Sequence, residues 1–253
     1  MKKVIFLYFI LFLSCDPGSF GLDENIGIYS YHDGMAFAWE SFFEDDYDIA
    51  IAYINSSISE TQDEQYFNSA YTALGWLYLF KSNMFLGTEY PDSVDYYRDQ
   101  ALIEFSYIEN EQEAAIDYNT GCYYDHCCPD CFIADREIGL LYSEIEEYFI
   151  SPNEEENIND LVDDLVLFVG NNPTYDFMDG KPPGNNGEEL DLNIGDIQFY
   201  LSHVYFRLGR FTESCIELNN LEDYKNCNLD CTINWDNSNL DALLECLSPS
   251  TLF

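Results

Sequence analysis

The chain of 253 residues contains 48 aspartates and glutamates but only 9 lysines and arginines, which gives a formal net charge of −39 at pH 7. A surface of this charge repels nucleic acids and anionic lipid head groups, which excludes a DNA- or RNA-binding role. The acidity indicates either a heavily solvated surface or the capture of divalent cations or of a basic partner. High charge alone is typical of disorder, but 47% of the residues are hydrophobic and 17% are aromatic, so we expect a folded chain.

The N-terminus has the pattern of a bacterial export signal. Two lysines precede an unbroken apolar run, Val4–Leu13, which is followed by Ser14 and Cys15. The run has about ten residues whereas a transmembrane helix needs roughly twenty, so we expect a cleaved signal and not a permanent span. Ser14 and Cys15 resemble the lipobox of bacterial lipoproteins, although Phe12 stands where that motif usually has leucine. The resemblance implies that Cys15 is the first mature residue and carries the lipid; the alternative is a secreted protein cleaved nearby.

These patterns divide the chain into three parts. We expect a lipoprotein signal peptide at residues 1–14, a tether at residues 15–30 and one domain at residues 31–253. The domain is not divided further because no linker interrupts it.

A short pattern recurs three times along the predicted helices. Each copy has a large aliphatic residue, a small residue directly after it, and a tyrosine three positions after the small one. The copies are Leu74, Gly75 and Tyr78; Ile138, Gly139 and Tyr142; and Leu201, Ser202 and Tyr205. This pattern resembles the first helix of the tetratricopeptide (TPR) repeat, W-x2-L-G-x2-Y. The resemblance implies an all-α solenoid of helical hairpins.

The spacing to the predicted second helices follows the same repeat. Thirteen residues separate Leu201 from Ser214, with Gly209 at the intervening turn, and thirteen separate Phe37 from Ala50. The small residues in these helices should let paired helices approach closely, while the large ones fill the space between them. We therefore expect stacked hairpins that share one core.

The distances between the repeats exceed those of the family. The three aliphatic positions are 64 and 63 residues apart, whereas one TPR unit has about 34 residues. Each interval should hold an insertion or a degenerate helix pair, and the second helix of the first interval should lie at about residues 92–108. The predicted fold class is thus an all-α, TPR-like helical-hairpin solenoid with irregular insertions.

Eight cysteines follow Cys15, which is an even number. In an exported chain such a set indicates a disulfide framework. Seven of them form two clusters in turn-rich segments where we expect disulfides, and the eighth is Cys215. The clustered cysteines are Cys122, Cys127, Cys128, Cys131, Cys227, Cys231 and Cys246.

Two other interpretations of the first cluster remain open. Cys122, His126, Cys128 and Cys131 could hold zinc, and Cys128 with Cys131 could be a redox pair ahead of a helix that begins near residue 133. A calcium site at residues 191–196 lacks the EF-hand spacing of ligands. We predict disulfides, no metal and no cofactor.

The TPR resemblance also implies a partner-binding groove along the first helices. Six side chains fall at or near the groove positions, and Leu140 stands at the corresponding position of the remaining copy. The six are Trp39, Phe42, Trp76, Leu79, Phe199 and His203. Aromatic side chains commonly anchor interfaces. The alternative is that these residues only pack against the neighbouring repeat.

These features favour a non-enzymatic, lipid-anchored scaffold that mediates protein–protein interactions at the bacterial cell envelope. Its expected partners are other envelope proteins or peptides, with the membrane reached through the lipid anchor and no nucleic acid bound. We place it on the extracytoplasmic side, facing the periplasm or on the outer membrane. The alternative is a lipoprotein that captures glycans or nutrients. An enzyme is disfavoured because the sequence has only three histidines and no HExxH, GxSxG or P-loop motif.

Overall fold

The computed structural model describes residues 31–60, 67–85, 90–107, 131–150, 157–177, 181, 192–221, 229–235 and 239–247. The predicted signal peptide and tether, with Cys15, lie outside this described part, as do Cys122, His126, Cys127, Cys128 and Cys227. Within the described part there are nine helices and no strand. They are α1 (Tyr31–Phe43), α2 (Tyr47–Glu60), α3 (Phe67–Met84), α4 (Pro91–Ser106), α5 (Cys131–Ile150), α6 (Ile158–Asn171), α7 (Ile194–Arg207), α8 (Phe211–Asn220) and α9 (Leu240–Leu247). The prediction of an all-α fold is confirmed.

The first eight helices pack as four consecutive pairs, α1 with α2, α3 with α4, α5 with α6, and α7 with α8. Each pair also contacts the next one, through α2 and α3, α4 and α5, and α6 and α7, while α9 packs against α7 and α8. In the described part of the two long intervals, α4 alone lies between α3 and α5, and α6 alone between α5 and α7. None of the described helices is both long enough and apolar enough to cross a membrane.

Local signals in the sequence fix several helix ends. Asn157 caps α6 by accepting a hydrogen bond from the backbone N–H of Asn159. Asn193 and Asp196 form a capping box at the start of α7. The Asn193 side chain accepts a hydrogen bond from a backbone N–H of the first turn, and the Asp196 carboxylate accepts one from the backbone N–H of Asn193. The Asp196 carboxylate is thus engaged in helix capping. Gly209 lies at the turn between α7 and α8 with φ of 73°, as its position between the two helices predicts.

The small residues of the repeated pattern allow one close helix contact. Phe105 of α4 is fully buried, and its ring lies between Gly75 of α3 and Gly139 of α5. A β-carbon at Gly75 would come within 2.6 Å of this ring, and one at Gly139 within 2.3 Å. The glycines are therefore required by the approach of α3 and α5 to α4. The other small residues at equivalent positions are also buried, namely Ala38, Ala50, Ser202 and Ser214.

A smaller core closes the C-terminal end of the described chain, where α8 and α9 pack with residues 229–235. A disulfide joins Cys215 of α8 to Cys231, and Cys246 is also disulfide-bonded. The disulfide prediction is confirmed for Cys231, but its partner is the cysteine that lies outside both sequence clusters. Cys131 is the first residue of α5, two positions earlier than the sequence indicated.

Candidate functional site

Most of the predicted groove side chains lie in the hydrophobic core. Phe42, Trp76, Leu79 and Phe199 are each no more than 4% exposed. Their surfaces contact neighbouring helices, which is the packing role that the sequence left open. Trp39 and His203 are half-buried, as is Leu140. These partly exposed positions are the ones where the predicted groove presents side-chain surface to solvent.

A segment from far along the chain packs against one face of α1, α3 and α5, here called the inner face. This face carries Trp39, Phe42, Trp76 and Asp135. This inserted segment comprises the described residues 175–177 and 181, which follow α6. Its Phe177 is fully buried. The Phe177 ring lies 4.9 Å from that of Trp76, 6.0 Å from that of Trp39 and 6.2 Å from that of Phe42, measured between ring centroids. The contacts with Trp76 and Trp39 are edge-to-face, a geometry that is favourable beyond the area that it buries.

The second anchor of the inserted segment is a buried ion pair. Lys181 Nζ lies 2.5 Å from Asp135 Oδ2 of α5, and both side chains are only 4% exposed. Lys181 Nζ also donates to the backbone carbonyl of Phe177 and lies 4.0 Å from the centre of the Phe177 ring and 5.2 Å from that of Trp39. The ammonium group is thus held by a carboxylate, a carbonyl and two aromatic faces, which together replace its hydration.

Asp135 is the point at which three elements meet. Its Oδ1 accepts a hydrogen bond of 2.8 Å from the Tyr175 hydroxyl, and its backbone carbonyl accepts one of 2.9 Å from Trp76 Nε1. Burial, and then the adjacent Asp135 carboxylate, raise the pKa of Tyr175 well above its usual value, so that the hydroxyl stays protonated and donates. The Tyr175 hydroxyl and Lys181 Nζ, both from the inserted segment, are therefore buried donors to the Asp135 carboxylate.

The two ends of this connection are held together at its base. Phe177 N–H donates to the Leu192 carbonyl at 2.9 Å, and Ile194 N–H donates to the Tyr175 carbonyl at 3.0 Å. Leu192 is buried, and the capping box of α7 follows directly. Hydrogen bonds between residues 175–177 and the start of α7 therefore fix both ends of the connection between α6 and α7.

Every basic side chain in the described part of the chain is engaged within the protein. Five of the six form ion pairs with carboxylates, and Arg136 donates to the backbone carbonyl of Phe105 at 2.7 Å. The five ion pairs are Lys81–Asp48, Arg98–Glu147, Lys181–Asp135, Arg207–Glu146 and Arg210–Glu213. The remaining carboxylates far outnumber these cations, so the described surface is negative. The same residues contain no cluster of three or more histidine, cysteine or acidic side chains that could hold a metal ion.

Sequence reasoning missed the residues that organise this site, namely Asp135, Tyr175, Phe177 and Lys181. The available signal was that Lys181 is one of few basic residues and stands alone in a Gly/Pro-rich stretch of a very acidic chain. Nothing local to the sequence indicates that this stretch returns to α1, α3 and α5. Comparisons of the chain with protein-family models, with curated proteins and with solved structures found no match.

Proposed function

We propose that the protein is a lipid-anchored, non-enzymatic scaffold with TPR-like repeats that docks partner proteins or peptides at the bacterial cell envelope. The observation that carries this proposal is the inner face itself. Three consecutive helical hairpins present aromatic side chains and one carboxylate to a non-helical segment that packs across them. A surface that binds its own chain in this way has the chemistry needed to bind another chain.

The charge distribution favours a basic partner. The described cations are all engaged, whereas the chain has a large excess of carboxylates. A basic protein or peptide would be attracted to this surface over several ångströms, and the attraction would weaken as salt screens it. An anionic ligand would be repelled.

The docking proposal is tested with the full chain expressed in its envelope. Partners are cross-linked and compared between the parent and a Trp39→Ala, His203→Ala double variant, which removes the two half-buried aromatic positions. Leu167→Ala is the matched control, because Leu167 is exposed on α6, a helix that carries none of the predicted groove positions. We expect specific partners to be lost only from the double variant and to be weakened by high salt. An unchanged set of partners, with the fold intact, refutes docking at these positions.

The anchoring part of the proposal is tested separately by Cys15→Ser. We expect this variant to leave the membrane fraction and to lack the lipid mass that the parent carries after extraction. If the parent itself carries no added mass on Cys15, the proposed anchor is refuted, while the docking experiment is unaffected.

Glycan capture is a second candidate, and one observation favours it. Tyr90 and Tyr96, just before and on α4, are 63% and 57% exposed, and Tyr107 at the end of α4 is exposed as well. Exposed aromatic rings offer flat apolar faces on which sugar rings can stack, with a hydroxyl at the rim. Retention of the parent, but not of Tyr96→Ala, on immobilised glycans would support this function. No retention across a broad panel would reject it.

A further inference from the structure

We propose that the outer face of α4 is a second docking surface, and that its partner is a basic amphipathic helix of another protein. The outer face is the line of side chains formed by Asp92, Tyr96, Asp99 and Ile103 on α4 and by Tyr107 directly after it. This inference goes beyond the proposed docking, which uses positions on the first helix of each pair, whereas α4 is the second helix of its pair.

The outer face points away from the core. Four side chains of α4 are buried, and each of them follows an outer-face residue by two positions. They are Val94, Arg98, Ala101 and Phe105. Two positions turn an α-helix by about 200°. The outer face is therefore on the side of α4 opposite to its packing against α3 and α5.

This side of α4 carries large hydrophobic side chains, although the side of a surface helix opposite to the core is normally polar. Tyr96 and Ile103 are each 57% exposed, and Tyr107 is 42% exposed. The Tyr96 ring has an edge-on contact with the Tyr97 ring at 5.1 Å, and the Tyr107 ring lies 4.0 Å from the Tyr71 ring, measured between centroids. The exposed rings are thus supported from within the protein and form an apolar surface that another molecule can bury.

The spacing of the outer face is that of a contact between two helices. Its first four members are separated by four, three and four residues, the intervals that keep side chains in line where one helix packs along another. From Asp92 to Tyr107 the line is about 22 Å long, which is about four helical turns. A helix packed along it would place apolar side chains on Tyr96 and Ile103, with the residue opposite Asp99 between them.

The aspartates determine the charge of the partner. Asp92 and Asp99 are exposed, and neither forms an ion pair within the described part of the chain, where all six basic side chains are engaged elsewhere. A helix that brings lysine or arginine to these carboxylates pairs them as it covers the face. A neutral or acidic helix would desolvate them without a partner, which is costly.

The composition of the outer face disfavours other occupants. A second copy of this chain would bring more carboxylates against Asp92 and Asp99, since the net charge is −39. An anionic lipid surface would be repelled in the same way. A glycan stacks on aromatic rings, which accounts for Tyr96 and Tyr107 but not for Ile103 between them.

The experiment uses the full chain and a labelled synthetic peptide. The peptide is an alanine-based helix with two leucines seven residues apart and with lysines between and beside them. Binding is measured by fluorescence anisotropy at low and high salt. A contact along one helix is smaller than a standard protein interface, so we expect micromolar binding that weakens as the salt concentration rises. A peptide of the same composition in which the leucines and lysines share no face should bind much more weakly.

A matched pair of variants tests the apolar part of the surface. Ile103→Ser should weaken binding of the peptide about tenfold or more. Leu167→Ser is the control, because Leu167 is 56% exposed on α6 and so matches Ile103 in exposure, and it should leave binding unchanged. Both positions are exposed, so we expect both variants to fold, which circular dichroism checks.

A second matched pair tests the charge. Asp92→Asn combined with Asp99→Asn should weaken binding and reduce its dependence on salt. Asp160→Asn combined with Asp163→Asn removes the same charge from exposed positions on α6 and should have little effect.

A parent protein that does not bind the peptide overturns the proposal, and so does binding that Ile103→Ser leaves unchanged. Equal effects of the two aspartate pairs also overturn it, because the attraction would then be general to the acidic surface. A dimer of the parent that Ile103→Ser dissociates would assign the face to a second copy and overturn the basic partner. Retention on glycans that depends on Tyr96, without binding of the peptide, would assign the face to sugars and overturn it as well.

These outcomes are separate from those of the docking experiment. If the peptide binds at the outer face but cross-linked partners do not depend on Trp39 and His203, the outer-face site stands and the predicted groove positions fail. If partners depend on those positions but the peptide does not bind, docking at the groove stands and the outer-face site fails.

Discussion

Replacing Lys181 by methionine tests whether the inserted segment is held on the inner face by its ion pair. Methionine keeps most of the apolar length of lysine but removes the ammonium group. Both partners of the pair are only 4% exposed, so the change leaves the Asp135 carboxylate buried with the Tyr175 hydroxyl as its remaining described donor. Removing one partner of a buried pair typically costs about 3–5 kcal/mol. Because the hydroxyl remains, we expect a loss near the lower end, about 3 kcal/mol.

The loss is measured by urea unfolding of the full chain, followed by circular dichroism. With a slope of about 2–3 kcal/mol/M, a loss of this size lowers the urea midpoint by about 1–1.5 M. A Lys181→Met, Asp135→Asn double variant should recover most of it, because no charge is then buried and asparagine still accepts from Tyr175. The matched control is Lys81→Met, whose partner Asp48 is 77% exposed, and which should cost about 1 kcal/mol or less. If Lys181→Met costs no more than Lys81→Met, the burial of the pair on the inner face is refuted.

Three further predictions concern packing, the disulfide and pH. Gly75→Ala forces a methyl group against the Phe105 ring and should cost about 1–3 kcal/mol, whereas Gly170→Ala in α6 has open space and should gain about 0.5–1 kcal/mol in the same unfolding assay. Cys231→Ser opens a disulfide with a sequence separation of 16 and should cost about 3 kcal/mol. A reductant should lower the stability of the parent by more than that of the variant, in which Cys246 is still disulfide-bonded. Burial, and then a neighbouring α6 carboxylate, raise the pKa of Glu137 above its usual value of 4.5. A carboxyl group with a higher pKa in the folded than in the unfolded state stabilises the fold below pH 4.5, and this stability is lost as the pH rises through the folded pKa. Glu137→Gln should therefore raise the melting temperature at pH 7 and not at pH 4. An equal effect at both pH values contradicts this cause.

The pairs α1 with α2, α3 with α4, and α7 with α8 could be predicted because their signals are local, whereas α6 and α9 were not located in advance. The second helix of the first long interval was expected at about residues 92–108 and spans Pro91–Ser106. The turn at Gly209 and the small residues that face neighbouring helices were also predictable. Each of these features depends on residues within one or two helical turns, where side-chain periodicity and turn chemistry are informative.

The candidate site was not predictable in the same way. The repeat resemblance assigns groove positions from their place on a helix, and it carries no information on what packs over that face. Phe177 meets Trp39 and Trp76 across more than a hundred residues of chain. The partner of Cys231 was missed for a related reason, because Cys215 lies within α8 and only the folding of residues 229–235 back onto that helix brings the two together. Such pairings depend on the three-dimensional path of the connections.

The placement of Lys181 is informative because cations are scarce in this chain. With 9 lysines and arginines against 48 acidic residues, a lysine on the surface would reduce repulsion among many carboxylates. Burying it with Asp135 gives up that benefit, and a buried ion pair adds little stability over a well-packed apolar pair. The pair instead determines the position of the segment. An aromatic side chain such as Phe177 can pack in several orientations, whereas the ammonium group of Lys181 must lie beside its carboxylate. We infer that Lys181 fixes the register of the inserted segment on the inner face.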